Sequence, residues 1–353
     1  MHAIDRYIED HQFHPPTTMV KALVHSSLSF HRTKIQPLAK LLSKLLFLLL
    51  PLSCRAKAAA ASQHGVRFLH GQRVLVTGAG RGIGQAIAVL CGREGAKVAL
   101  TSRSRSELEI TAEQVRSVQQ QQQGLPVCEN DDRQNKQTQI NDQNDSVLIL
   151  PADLLDQDQI DAMVDEIVAA WGGIDILINN AGGAQATTGS SETLDSNDFL
   201  RVLELNVVAT HRVSKAVLNK AMLPAQGTKS ETKRQIINIS SRAGKVGLPN
   251  YSFYVASKFA LEGMTASMAA EFQDRNIQVN SISPGMVDTK SFPKHPGQPG
   301  VRSAESISDG LFVLLQSDVT GHYLHVDELD LARIQGLPDS SALKPINEQK
   351  FGD

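Results

Sequence analysis

The sequence predicts an α/β fold: one doubly wound parallel sheet with helices on both faces. Short apolar runs without polar alternation, such as Val74-Leu75-Val76 and Val147-Leu148-Ile149-Leu150, suit strands covered on both sides. Stretches of helical periodicity separate these runs in regular alternation, which calls for parallel strands joined by right-handed crossovers. The strands end in glycine or small polar residues, and ligands bind such sheets at the carboxyl ends of the strands.

With 353 residues, 41% of them hydrophobic, and a formal charge of −2, the chain can bury one large core, so one domain with appendages is expected. No basic face is concentrated on the folded part, which gives no reason for a nucleic-acid partner. The three cysteines, Cys54, Cys91 and Cys128, are odd in number and lack metal-ligand spacing, so a reducing compartment and no metal site are expected.

Residues 1–70 read as a leader, 71–327 as the folded domain and 328–353 as a C-terminal tail. From His11 to Arg93 there is no acidic residue, while Lys21, Arg32, Lys34, Lys40, Lys44, Arg55, Lys57 and Arg67 are spread among Ser, Thr and Leu. That basic, acid-poor composition is the signature of an organellar transit peptide, for a mitochondrion or plastid. Asp5, Glu9 and Asp10 depart from it unless translation begins at Met19. Leu41 to Leu52 is apolar but broken by Lys44 and Pro51, short of the about 20 residues a membrane-spanning helix needs. With the Ala58 to Ala61 run behind it, this stretch also reads as a signal-peptide core, an amphipathic membrane anchor or an unstructured leader. Removal or disorder is expected, with an organelle favoured and cytoplasm or a membrane surface as alternatives.

The domain opens with a strand over Val74-Leu75-Val76, which runs into Thr77-Gly78-Ala79-Gly80-Arg81-Gly82-Ile83-Gly84 and then a helix. Glycines let the backbone turn sharply, and a helix starting near Gly82 aims unpaired N–H groups at an anion such as a nucleotide pyrophosphate. Ile83 occupies the third glycine position of the usual Rossmann fingerprint, so the spacing is Thr-Gly-x-x-x-Gly-x-Gly instead. Gln85 to Arg93 continues at helical spacing, Gly95 closes that helix, and Lys97 to Ser102 is the second strand. An NAD-binding unit generally places an acidic residue about 20 positions past the glycines to hold the ribose. Here Ser102-Arg103-Ser104-Arg105 stands there, and a guanidinium would pair bidentately with a 2′-phosphate, which favours NADP(H) over NAD(H). The alternative is an arginine on a solvated loop.

Ser106 is expected to cap a helix from Glu107 to about Val118, with Glu109 at the capping-box position. Gln119 to Asp145 is almost wholly polar and has too little apolar surface to offset its ordering entropy, so a disordered insertion is expected. Val147 to Leu150 is the third strand, followed by Pro151-Ala152-Asp153-Leu154. Ile160 to Trp171 is helical and stopped by Gly172-Gly173, and Ile174 to Ile178 is the fourth strand, leading into Asn179-Asn180-Ala181-Gly182-Gly183. A long helical pattern from Asp198 to Leu223 contains Asn206, and Pro224 to Arg234 is a polar loop. Gln235 to Ile239 is the fifth strand, ending in Ser240 and Ser241. Tyr254 opens a helix to about Phe272 and places Lys258 one turn away on the same face. Gln278 to Ser283 is the sixth strand, Ile307 to Leu315 a helix and Tyr323 to Val326 the last strand.

Taken in order, Thr77-Gly78-x-x-x-Gly82-x-Gly84, Asn179-Asn180-Ala181-Gly182, Asn206, Ser241, Tyr254-x-x-x-Lys258 and Pro284-Gly285 resemble the short-chain dehydrogenase/reductase family. The resemblance covers roughly Gly71 to Asp327, interrupted by the polar insertion. It implies a single Rossmann-like domain, hydride transfer between a nicotinamide and a small carbonyl or secondary-alcohol substrate, and a homodimer or homotetramer built on the helices of Asn206 and Tyr254. A 3-oxoacyl thioester is the leading substrate.

The same resemblance implies four catalytic residues, Asn206, Ser241, Tyr254 and Lys258. Tyr254 would exchange the proton, Ser241 would hold the substrate carbonyl, and Asn206 would hold a water feeding protons to Lys258. Lys258 would bind the nicotinamide ribose and lower the pKa of Tyr254 from the ordinary value of about 10. Implied cofactor contacts are Thr77, Gly78, Gly80, Arg81, Gly82, Ile83, Gly84, Arg103, Asp153, Leu154, Asn180, Ala181, Gly182, Tyr254, Lys258, Pro284, Gly285, Val287 and Thr289. Asp153 and Asn179 read equally as capping or strand-end hydrogen-bonding residues.

Met286 to Ser303, where the family carries its substrate lid, is short and full of Pro, Gly and Lys, and Asp327 to Asp353 reads as surface wrapping or disorder. Two further functions stay open: a dinucleotide-binding scaffold or sensor without turnover, and a membrane-associated reductase of lipid or steroid carbonyls held by the leader.

Overall fold

The computed structural model describes residues 67–121, 146–223, 232–289, 294 and 298–347. The leader readings for residues 1–66, the polar stretch 122–145 and most of the loop 224–231 therefore lie outside the described residues. The strands are β1 (Arg73–Thr77), β2 (Lys97–Ser102), β3 (Val147–Pro151), β4 (Ile176–Asn179), β5 (Arg234–Ile239), β6 (Ile277–Ser283), β7 (Met286–Val287), β8 (Val301–Arg302), β9 (His322–His325) and β10 (Leu343–Pro345). Among the described residues they form an eight-stranded sheet, β10-β9-β6-β5-β4-β1-β2-β3, and a small β7-β8 pair. Every neighbour in the large sheet is parallel except β10, which runs antiparallel to β9.

The helices are α1 (Gly82–Arg93), α2 (Arg105–Gln121), α3 (Gln157–Trp171), α4 (196–222), α5 (Ser252–Phe272), α6 (Ile307–Gln316) and α7 (Val326–Ile334). Side chains alternate across a strand, and here both faces are buried. Val74, Val76, Ile176, Ile178 and Ile237 face a core with Ile87 of α1, Leu108 of α2 and Leu311 of α6. Leu75, Leu177, Ile236 and Val279 face the other, with Ile160 of α3, Val213 of α4 and Met268 of α5. This is why the strands read as unbroken apolar runs.

β1 and β4 are neighbours although two strands and three helices separate them in sequence, so the strand order reverses between them. A crevice opens at such a reversal, outside the strand ends. The starts of the two strands are tied by Asp175, which is 4% exposed: Oδ2 accepts from Arg73 N (3.0 Å) and Nε (2.8 Å), and Oδ1 from the second guanidinium nitrogen (2.6 Å).

Several boundaries differ from the sequence reading. Leu69, assigned to the leader, is 3% exposed and packs in the core, its N–H donating to Glu94 O at 3.1 Å. α2 starts at Arg105 and its Glu107 N–H is met by Ser104 Oγ at 3.4 Å, so Ser104 takes the role expected of Ser106. α2 also runs on to Gln121, with Gln119 bonded to Ala96 O (2.8 Å) and Ser146 Oγ (2.9 Å), so the expected insertion starts later than Gln119.

Two more differences concern longer segments. α4 begins at Ser196 under an Asp195 cap and loosens twice into π turns, Glu204–Val208 and Leu218–Met222. As far as residue 347 the expected tail packs on the domain: α7 buries Leu329 and Ala332, and β10 adds a strand to the sheet edge. Pairing an edge strand satisfies backbone groups that polar side-chain composition does not reveal.

Asp175→Ala leaves the Arg73 guanidinium with its partner removed, so we expect a loss of about 3 kcal/mol in urea unfolding. An unchanged midpoint would show the tie between β1 and β4 to be dispensable.

Candidate active site

The site begins where β1 ends. Thr77 Oγ1 accepts the N–H groups of Asn180 (2.9 Å) and Ala181 (3.0 Å), and Asn180 Nδ2 donates back to the carbonyls of Thr77 (2.9 Å) and Gly78 (3.2 Å). Gly78 turns at φ +63°, and Gly84 packs so closely that a Cβ there would lie 2.2 Å from the Gly78 oxygen. α1 then starts with no capping side chain and no acid in its first turn. Its first N–H groups are left for an anion, which fits a dinucleotide pyrophosphate.

A cleft of about 1120 Å³ lies over the carboxyl ends of the strands. It brings together Gly78, Gly80, Arg81, Gly82, Ile83, Gly84, Arg103, Asp153, Leu154, Asn180, Ala181, Gly182, Tyr254, Lys258, Pro284, Gly285, Val287 and Thr289, with Ser241. Thr77 is the exception among the expected contacts: at 2% exposed it clamps β4 from beneath and does not line the cleft. Asp153 lines the cleft while one carboxylate oxygen accepts from Leu155 N at 3.1 Å. Asn179 is buried and structural, its amide bonded to Ser214 Oγ and Asn238 Oδ1, each at 2.9 Å.

Asn206 lies in the first π turn of α4, 1% exposed. Its Oδ1 accepts from Gly183 N (2.8 Å), and its Nδ2 donates to Gly183 O (3.0 Å) and Ser257 Oγ (3.0 Å). The Asn206 side-chain amide is thus taken up in positioning the strand-end loop and α5.

Tyr254 and Lys258 are buried on α5, and Lys258 Nζ donates to Ile239 O at 3.0 Å and lies 5.8 Å from the Tyr254 ring centre. Burial pushes Tyr254 up to about 12, opposed by its hydrogen bond with Ser241. Burial likewise pushes Lys258 down to about 8, opposed by the Glu262 charge. Tyr254 is therefore raised rather than lowered, because desolvation penalises the charged forms of both groups. Ser241 Oγ also accepts from Ala243 N at 3.1 Å, which fixes its orientation at the end of β5.

Other residues of the site carry no sequence signal of their own. Gln185, 4% exposed, accepts the Tyr254 N–H at 3.1 Å and donates to Thr187 O (2.8 Å) and Asn250 O (3.1 Å), fixing the start of α5. Arg242, Leu248, Tyr251 and His325 line the same cleft as Tyr254, and only the fold brings them there. Of the cleft arginines, Arg81 pairs with Glu107 (3.1 Å) and Arg201 with Asp198 (2.8 Å). The guanidiniums of Arg103 and Arg242 make no hydrogen bond or ion pair among the described residues.

The short chain dehydrogenase family model matches residues 72–138 and 124–298. A dehydrogenase/reductase SDR family protein 7-like of Anopheles gambiae is 31% identical over 227 residues, 64% of this chain and 62% of that protein, so the match spans under two thirds of that relative. A 3-oxoacyl-acyl-carrier-protein reductase of Vibrio cholerae is 30% identical over 221 residues, 63% of this chain and 75% of that one. The solved short chain dehydrogenase of Shigella flexneri, complexed with NADP, is 25% identical with a TM-score of 0.59, covering 74% of this chain and 99% of that one. With the Tyr254–Lys258–Ser241 cluster and the glycine turn in one cleft, the chain belongs to the short-chain dehydrogenase/reductase family of NAD(P)-dependent oxidoreductases.

Proposed function

We propose that the protein is an NADP(H)-dependent carbonyl reductase, acting on a carbonyl/secondary-alcohol pair. The observation that carries this reading is Tyr254 hydrogen-bonded to Ser241 in a cleft whose other end has an open helix N-terminus and Arg103, unpaired among the described residues. Arg103 follows β2, where a 2′-phosphate would be met by its fork. The NADP complex of the Shigella relative supports the cofactor, and the Vibrio relative's name supports 3-oxoacyl compounds as members of the substrate class.

When bound, the dinucleotide supplies the hydride. Ser241 holds the substrate oxygen beside the Tyr254 hydroxyl, and Tyr254, kept protonated by burial, gives its proton as that oxygen gains charge. Lys258, when charged, offsets the phenolate left behind. Burial that pushes the Tyr254 phenol up to about 12 keeps it protonated at rest, as proton donation to a carbonyl oxygen requires.

Tyr254→Phe is expected to cut turnover by at least about 100-fold while NADPH affinity, read by fluorescence titration, stays within a few-fold of the parent. Full activity in that variant would remove Tyr254 from the mechanism. Lys258 is protonated below its depressed pKa, so reduction is expected to decline as pH rises through about 8. A flat profile up to pH about 10 would show that its charge is not needed. Arg103→Leu is expected to weaken NADPH binding at least about tenfold and leave NADH binding little changed; equal losses would remove the 2′-phosphate contact.

A further inference from the structure

Among the described residues Arg103 and Arg242 are the cleft guanidiniums without partners, and they stand at different ends of the cleft. Arg103 follows β2 and Arg242 follows β5, three strands apart in the sheet, or about 14 Å at the usual strand spacing. Arg103 is accounted for by the dinucleotide. Arg242 is not, and it directly follows Ser241, the residue that holds the substrate oxygen in the reading above.

His325 stands in the same wall. Its side chain is 8% exposed, and Nδ1 accepts from Asp327 N at 3.1 Å. An accepting Nδ1 places the proton on Nε2, which makes no hydrogen bond among the described residues, while the ring lines the cleft. Burial, helped by the charges of Arg242 and Arg302 and opposed by Asp327 and Glu328, holds His325 below the usual imidazole range, so the ring stays neutral. The Asp327 carboxylate is itself answered by Arg302 at 2.7 Å, and the same guanidinium pairs with Asp330. Among the described residues the floor therefore offers two unused donors, a guanidinium fork and an imidazole N–H, with the nearby Asp327 carboxylate neutralised.

We propose that the substrate carries a carboxylate near its reducible carbonyl, held by Arg242 and His325, so that the enzyme reduces free oxo acids in preference to their neutral esters and thioesters. A carboxylate suits the planar guanidinium fork and accepts a further bond from an imidazole N–H. A neutral ester at the same place would leave the guanidinium without an opposite charge and without the second oxygen of a bidentate pair. The proposal rests on the reductase reading for turnover but not for binding.

The test uses the full-length chain with NADPH and 3-oxobutanoate and 4-oxopentanoate, each compared with its methyl ester, together with the N-acetylcysteamine thioester of 3-oxobutanoate. The parent is expected to favour each acid over its ester by at least about tenfold in kcat/KM, and Arg242→Leu to collapse that ratio towards one. Arg242→Lys is expected to restore part of the ratio, since the charge returns without the fork. Binding is read separately by calorimetry on the Tyr254→Phe protein loaded with NADPH, where the acids are expected to bind at least about tenfold more tightly than the esters. Equal binding of acid and ester, a preference for the thioester, or an acid preference surviving in Arg242→Leu would overturn the proposal. Selective binding of the acids without turnover in the parent would instead defeat the reductase reading and leave the carboxylate site standing.

Discussion

The clamp between the ends of β1 and β4 is the constraint on which the site depends. Thr77 Oγ1 takes two backbone N–H groups of the β4 end, and the Asn180 amide returns two bonds to the β1 end. These bonds hold the strand ends together where the strand order reverses, and a crevice has to open there. They also decide the glycines: Asn180 Nδ2 would lie 2.9 Å from a Cβ at position 78 and 2.4 Å from one at position 84. A side chain at either position would push out the amide that closes the turn, so the glycine spacing follows from packing as well as from room for a phosphate.

Downstream of that clamp several buried amides position the elements of the site, while the tyrosine and lysine they surround are desolvated. The amide nitrogens of Asn179, Asn206 and Gln185 donate to backbone, hydroxyl or amide oxygens and hold elements in place. Tyr254 and Lys258, on the helix these bonds position, are desolvated in opposite senses, the phenol raised and the amine lowered. Both effects favour neutral forms at rest. A site arranged in this way responds to charge arriving with its ligands, because each new charge acts in a poorly screened environment.

How much was legible follows from range. Strand runs, the glycine turn and the tyrosine–lysine helix are local patterns, and the structure places them where periodicity and spacing put them. The helix cap at Ser104 and the strand at Leu343–Pro345 were misread, because both depend on partners: Ser104 Oγ meets Glu107 N, and β10 exists by pairing with β9. The sign of the Tyr254 shift was misread for the same reason, since a nearby lysine is visible in sequence whereas the burial of both groups is not.

By itself the sequence determined the parallel α/β architecture and the glycine-rich turn, because apolar periodicity and short-range spacing encode them directly, while the roles of Tyr254, Lys258 and Ser241 come from the family resemblance. Tertiary structure alone decided which polar groups stay unpaired in the cleft. Arg81 and Arg103 sit in similar glycine- or serine-rich surroundings, yet among the described residues one is spent on Glu107 and the other is unpaired. Arg242 and His325 are far apart along the chain and become neighbours only because β9 follows β6 and β5 across the sheet. Whether a charge is used up or available depends on its three-dimensional neighbours, and no spacing rule carries that information.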